Sequence, residues 1–222
     1  MFSKLLKKGV RELERETSHS HGSGGSHTGH GGHGTHAGAG AGSAAGAGAA
    51  ALGTHGGSKK IASAGKVSKR TINVAGLPVH VYGLDELTPA HAGAAPEVCL
   101  VIHMHGRTGS AKNEDPLVRK LYSFTQGSRE QLQTRSRDVI FAVFDQRNHG
   151  ERETNALGQK TWKEGNSNHA IDMYGMYRGT ACDVSFIMDF LPSYLFPNGE
   201  RFISLVAVTG KSLGGHAAWQ VL

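Results

Sequence analysis

Three short, predominantly apolar runs, residues 98–102, 139–144 and 203–209, do more than any other feature to limit what this chain can fold into. Each is too short for a buried helix and lacks the strict alternation of a half-exposed strand, so each reads as a strand covered on both faces. A strand of that kind needs a helix layer above and below it. The intervening segments supply helical patterns. Leu117, Val118, Leu121 and Tyr122 mark a helix over 116–124 that starts after Asp115. Ile171, Tyr174, Tyr177, Ala181, Val184, Ile187 and Leu191 recur at steps of three and four over 171–191, with Pro192 and Pro197-Asn198-Gly199 as the expected stop. Upstream, 71–74 and 79–82 are joined by Ala75-Gly76-Leu77-Pro78 and read as a hairpin. A hairpin followed by β-α-β-α-β-α predicts an α/β fold with a mainly parallel, doubly wound sheet, whose ligands sit at the carboxyl ends of the strands.

The 222 residues have room for one sizeable domain, and the pattern places it at 69–222. The formal charge of +6 is concentrated ahead of it. Residues 1–70 carry ten Lys and Arg against Glu12, Glu14 and Glu16, while the rest of the chain has fourteen basic and fifteen acidic residues. The domain is therefore near neutral, which argues against nucleic acid as a partner. Phe2, Leu5, Leu6, Val10 and Leu13 lie at helical spacing among basic residues, so 1–16 reads as a short basic amphipathic helix able to touch an anionic membrane surface weakly. Residues 17–68 are rich in Gly, Ala, Ser and His and have little to bury, so they read as a disordered linker. Cys99 and Cys182 form no disulfide framework and are expected as small core residues in a reducing compartment. With no membrane-spanning run and no secretory signal, the expected location is cytoplasmic, peripheral to a membrane if the arm binds one.

The polar motifs gather where the strands end. His105, Asp145 and Ser212 each follow a different apolar run, which collects them along one edge of the sheet. Gly210-Lys211-Ser212 could be the tail of a phosphate-binding loop, but that loop needs a glycine where Leu205 stands inside a strand. His103-Met104-His105 could start a metal site, but Gly106-Arg107-Thr108-Gly109 offers no further ligand, so no metal is expected. What remains is Gly210-Lys211-Ser212-Leu213-Gly214 between a strand and a helix, the setting in which Gly-x-Ser-x-Gly forms a nucleophile elbow.

Taken together, His105-Gly106-Arg107-Thr108-Gly109, Asp145-Gln146-Arg147-Asn148-His149-Gly150 and the elbow, in that order, resemble the N-terminal half of an α/β-hydrolase. With Gly215-His216 following, they look closest to the prolyl-oligopeptidase-like and esterase-like branch found in fungi. The resemblance spans 71–222. It implies a serine hydrolase of esters, thioesters or peptide bonds, with small-molecule ester or peptide substrates and no cofactor. Ser212 would be the nucleophile, and the backbone N–H groups of Leu213 and Arg107 would form the oxyanion hole. His105 and Gly106 would shape the oxyanion loop, and Asp145, Arg147 and His149 a structural turn. Lys211 is expected to point from the elbow toward solvent or substrate, which makes it a candidate substrate contact. Trp162 and His169 are further ones, because the polar segment 151–170 lies at the edge where loops cap active sites. That segment reads equally as a solvated excursion.

A serine hydroxyl needs a positioned base, and the family supplies an acid and then a histidine after the nucleophile. No acid follows Ser212, and His216 lies on the wrong element. The chain is therefore expected to be an inactive fragment of a longer hydrolase. The alternative is a non-catalytic scaffold of the same fold that binds a partner or a membrane through its basic arm.

Overall fold

The expected hairpin forms between β1 (Lys69–Val74) and β2 (Leu77–Tyr82), turning at Ala75-Gly76. The computed structural model describes residues 67–89, 97–132 and 137–222. The expected helix over 1–16 and all of the linker over 17–68 except Val67 and Ser68 lie outside them. After the hairpin come β3 (Glu97–Met104), α1 (Asp115–Leu132), β4 (Asp138–Phe144), α2 (His169–Leu195), β5 (Phe202–Gly210) and α3 (Leu213–Val221).

The strands lie in the order β1-β2-β4-β3-β5. β3 pairs in parallel with β4 on one side and β5 on the other, while β2 lies antiparallel to both β1 and β4. Among the described strands, β2 alone runs against the rest. The fold is α/β with a mixed sheet. The order follows from chirality. The crossover β3-α1-β4 runs one way along the sheet and β4-α2-β5 runs back across β3 the other way, so right-handed connections put α1 and α2 on opposite faces. The carboxyl end of β3, where the direction of winding reverses, is the place where such sheets open a crevice.

Alternation along β3 divides the interior into two cores. Val98, Leu100, Ile102 and Met104 pack with Val79, Ile140 and Phe144 beneath Val184, Ile187 and Leu191 of α2 and Ala217 of α3. Cys99 and Val101 face the other way, with Phe141 and Val143, onto Val118, Leu121 and Tyr122 of α1. Each large aliphatic side chain buried this way contributes roughly 1.5–3 kcal/mol. The start of α1 is pinned to the hairpin. Asp115 Oδ1 accepts from Tyr82 Oη at 2.8 Å and lies 3.3 Å from Lys69 Nζ, and Oδ2 accepts from Arg119 Nε at 2.7 Å. The Arg119 guanidinium is the main cause that holds the Asp115 carboxyl down to about 2.

Three expectations need correction. The first helix runs past Phe124 to Leu132. Pro192 does not stop the second, because it lies within the last turn, where its own missing N–H is the only donor removed; its carbonyl still accepts from Phe196 N–H at 2.9 Å. Cys99 is buried, and burial pushes its thiol up to about 11, but Cys182 is exposed on α2. Among the described residues, no strand pairs with the outer edge of β5, where Phe202 and Leu205 are exposed, and Trp219 of α3 is 79% exposed. Also among them, no helix is long and apolar enough to cross a membrane.

Candidate functional site

β5 hands the chain to α3 through a single strained residue. Ser212 has φ 49° and ψ −111°, a left-handed backbone that a side chain rarely adopts. The neighbours over-determine it. Lys211 N–H donates to Met104 O at 3.1 Å, extending the β3–β5 ladder, and Gly214 N–H donates to both His105 O at 3.2 Å and Lys211 O at 2.9 Å. Both motif glycines are required by close approach. A Cβ on Gly210 would run into the Gly214 carbonyl, and one on Gly214 would lie 2.7 Å from His105 O. The result is an exposed Ser212 whose side chain does not cap α3.

Such a backbone stores roughly 1–3 kcal/mol. Ser212→Gly relaxes it but adds freedom to the unfolded chain. The expected net result in urea melts is a gain of about 1 kcal/mol relative to Ser212→Ala. A glycine variant less stable than the alanine variant would mean the turn is not strained.

The loop after β3 lies against this turn. A Cβ on Gly106 would be 3.8 Å from Ser212 Cβ and 3.6 Å from Lys211 O, so Arg107 begins beside the elbow. Thr108 takes φ 64°, and Gly109 N–H closes the turn on Gly106 O at 3.0 Å. Leu213 opens α3, so its N–H belongs to the first turn, whose donors have no acceptor within the helix. The segments that carry Leu213 and Arg107 thus adjoin at Ser212.

His105 is fully buried and braces that loop. Gln146 N–H donates to His105 Nε2 at 3.0 Å, so the ring proton is on Nδ1, which donates to Gly106 O at 2.8 Å. The Gln146 side-chain amide also donates to His105 O. Burial is the main cause that pushes the imidazole below its usual range. Both nitrogens are occupied, which excludes this ring as the base for Ser212.

Asp145 serves two backbones. Its carboxylate accepts from Ala111 N–H at 2.7 Å and Glu151 N–H at 2.8 Å, clamping the loops after β3 and β4 together. Arg147 reaches α2 and makes a two-point contact with Asp183 at 2.9 and 3.3 Å, while Arg152 Nη1 donates to the same carboxylate at 2.8 Å. The approach depends on Gly179, where a Cβ would come within 2.6 Å of Arg147 Nε. His149 Nδ1 donates to Arg147 O at 2.9 Å, and its ring lies 5.2 Å from that of His105. Asp183 was not evident in the sequence; the signal was Gly179, a gap one helical turn before it.

Segment 151–170 is a bonded scaffold, neither open coil nor a plain strand-to-helix link. Of three single 3-10 turns, Gly150–Arg152 is bonded to the Asp145 carboxylate, Ala156–Gln159 is capped by the Asn155 amide, and Trp162–Glu164 is closed by bonds from Thr161 to the Glu164 carboxylate. Asn148 Oδ1 accepts from Thr154 and Asn155 N–H, and Asn166 Nδ2 donates to Gly158 O, Lys160 O and Asp172. Arg107 Nη1 donates to Gln159 O at 2.9 Å, joining this scaffold to the loop beside Ser212. Trp162 and His169 form an edge-to-face pair with ring centroids 4.5 Å apart, Trp162 being largely exposed. Lys211 is exposed. His216 is exposed too, with its ring 5.8 Å from Tyr177. Among the described residues, no group of three His, Cys, Asp or Glu is placed to hold a metal.

No protein-family model matches this chain, and no curated protein matches it either. It is similar to several solved structures. One is TT1662 from Thermus thermophilus, with 20% identity and a TM-score of 0.42, covering 70% of this chain and 51% of that one. Another is the epoxide hydrolase VrEH1 from Vigna radiata, with 14% identity and a TM-score of 0.34, covering 72% of this chain and 36% of that one. The chain thus spans about half the length of the first (51%) and less of the second.

Proposed function

We propose that this chain carries the nucleophile half of an α/β-hydrolase active site, in which Ser212 forms an acyl-enzyme from an ester, thioester or peptide substrate. One observation carries the reading: an exposed serine held at φ 49° on a strand-to-helix turn, beside the loop that follows a neighbouring parallel strand. In the proposed step, Ser212 Oγ attacks the acyl carbon and its proton passes to a base. The carbonyl oxygen becomes an oxyanion between the N–H groups of Leu213 and Arg107. Collapse expels the alcohol, thiol or amine with a proton, and water then releases the acid and restores the serine. Among the described residues no histidine is hydrogen-bonded to Ser212, so the reading places the base outside them. Lys211, Trp162 and His169 are the proposed substrate contacts.

A fluorophosphonate probe with peptide mapping tests the reading. A longer form of the chain that supplies the base is expected to carry label on Ser212, and its Ser212→Ala variant to carry none. No label at that residue in either this chain or the longer form overturns the hydrolase reading and leaves the non-catalytic scaffold.

A further inference from the structure

We propose that His103 and Glu114 are positioning residues that lock the strand entering the elbow to the loop carrying Arg107; their effect on chemistry rests on the serine-hydrolase reading. His103 stands on β3 directly beside Thr209 of β5, three residues before Ser212. Its Nε2 lies 3.0 Å from Glu114 Oε2, and its Nδ1 lies 3.4 Å from Thr209 Oγ1. An ionised carboxylate only accepts, so Nε2 carries a proton toward Glu114. Glu114 closes the loop that begins at Gly106, and its own carbonyl accepts Val118 N–H at 2.9 Å to start α1. One imidazole therefore joins the loop, the central strand and the nucleophile strand.

The pair is withdrawn from water, with side chains 4% and 13% exposed. Burying a carboxylate is unfavourable unless its partner is well placed. The hydrogen bond from His103 is the largest influence that holds the Glu114 carboxyl below the usual range, and Lys211, next to Ser212, adds to it from farther away. Thr209 directly precedes Gly210, so the tie acts on the strand side of the elbow's first glycine. The strain at Ser212 persists only while its flanks are fixed, and this is the side-chain link that fixes them to the loop.

The experiment compares Glu114→Ala and Glu114→Gln with the unsubstituted protein. Hydrogen exchange in the Glu114→Ala protein is expected to speed up by about tenfold or more at 106–109 and 209–214, with the β1–β2 hairpin unchanged. The Gln variant, which keeps an acceptor for His103, should restore most of the protection. If Ser212 labels, Glu114→Ala should lower the maximal labelling rate about 10- to 100-fold with little change in probe affinity. Unchanged exchange at 209–214, or equal acceleration across the whole domain, overturns the positioning role. The local exchange change leaves the positioning role standing even where a longer form that supplies the base fails to label, a result that removes only the hydrolase reading.

Discussion

Gly214→Ala is expected to lower the melting temperature by about 5–10 °C, against the direction that helix propensity predicts. Gly214 is the second residue of α3 and has no left-handed φ, so alanine there should favour the helix by about 1 kcal/mol. The space decides otherwise. The added Cβ would press on Met104 O, sit 2.7 Å from His105 O and 2.7 Å from Met104 Cβ. Two of these are carbonyls of the central strand and its exit, bonded to Lys211 and Gly214 N–H, so they cannot retreat without opening the β3–β5 ladder. Overpacking against atoms that cannot move costs about 3 kcal/mol. Gly215→Ala is the internal control on the same helix. Its nearest contact would be Gly210 O at 3.4 Å, an ordinary distance, so it should be neutral or stabilising by up to about 1 kcal/mol. Thermal melts of the two variants check the argument, and equal shifts would sink it.

That contrast shows what the sequence could convey. The Gly-x-Ser-x-Gly spacing was legible because both glycines answer a demand for close approach, Gly210 against the start of α3 and Gly214 against the end of β3. The apolar runs 98–102, 139–144 and 203–209 were legible because burial on both faces leaves a compositional mark. Strand order was not, since nothing in the letters of β2 says that it docks on β4. The partners of Asp145 and His105 were also hidden, because Ala111 N–H and Gln146 N–H are brought there by the fold and any residue type could supply them. Asn148, Asn155, Gln159 and Asn166 looked like a polar excursion because the same amides that favour solvent also satisfy a loop's own backbone. His103 was weighed as half of a metal pair with His105. In the structure one ring turns to Glu114 and the other to Gln146 N–H, a divergence that alternation along a strand does not reveal.

His105 should control both stability and its acid dependence. His105→Ala strands Gln146 N–H without a partner in a fully buried position, while Gly106 O keeps its bond from Gly109 N–H, so the expected loss is about 1–3 kcal/mol. His105→Gln, which can still offer an acceptor to Gln146 N–H, should lose less. The pH dependence follows from the neutral ring. Nε2 already accepts a hydrogen bond, so a second proton would break that bond and bury a charge, and burial holds the folded-state pKa below the ordinary value near 6.5. The unfolded chain therefore takes up a proton that the folded chain refuses. This contribution is complete above about pH 6.5 and is lost as pH falls from there toward the lowered folded value. His80, lowered mainly by burial and then by Lys69, adds a slope of the same sign. Urea melts from pH 8 to pH 5 should thus show falling stability in the unsubstituted protein, and a shallower fall in His105→Gln, with the His80 share remaining. An identical slope in the two proteins would mean that His105 does not resist protonation.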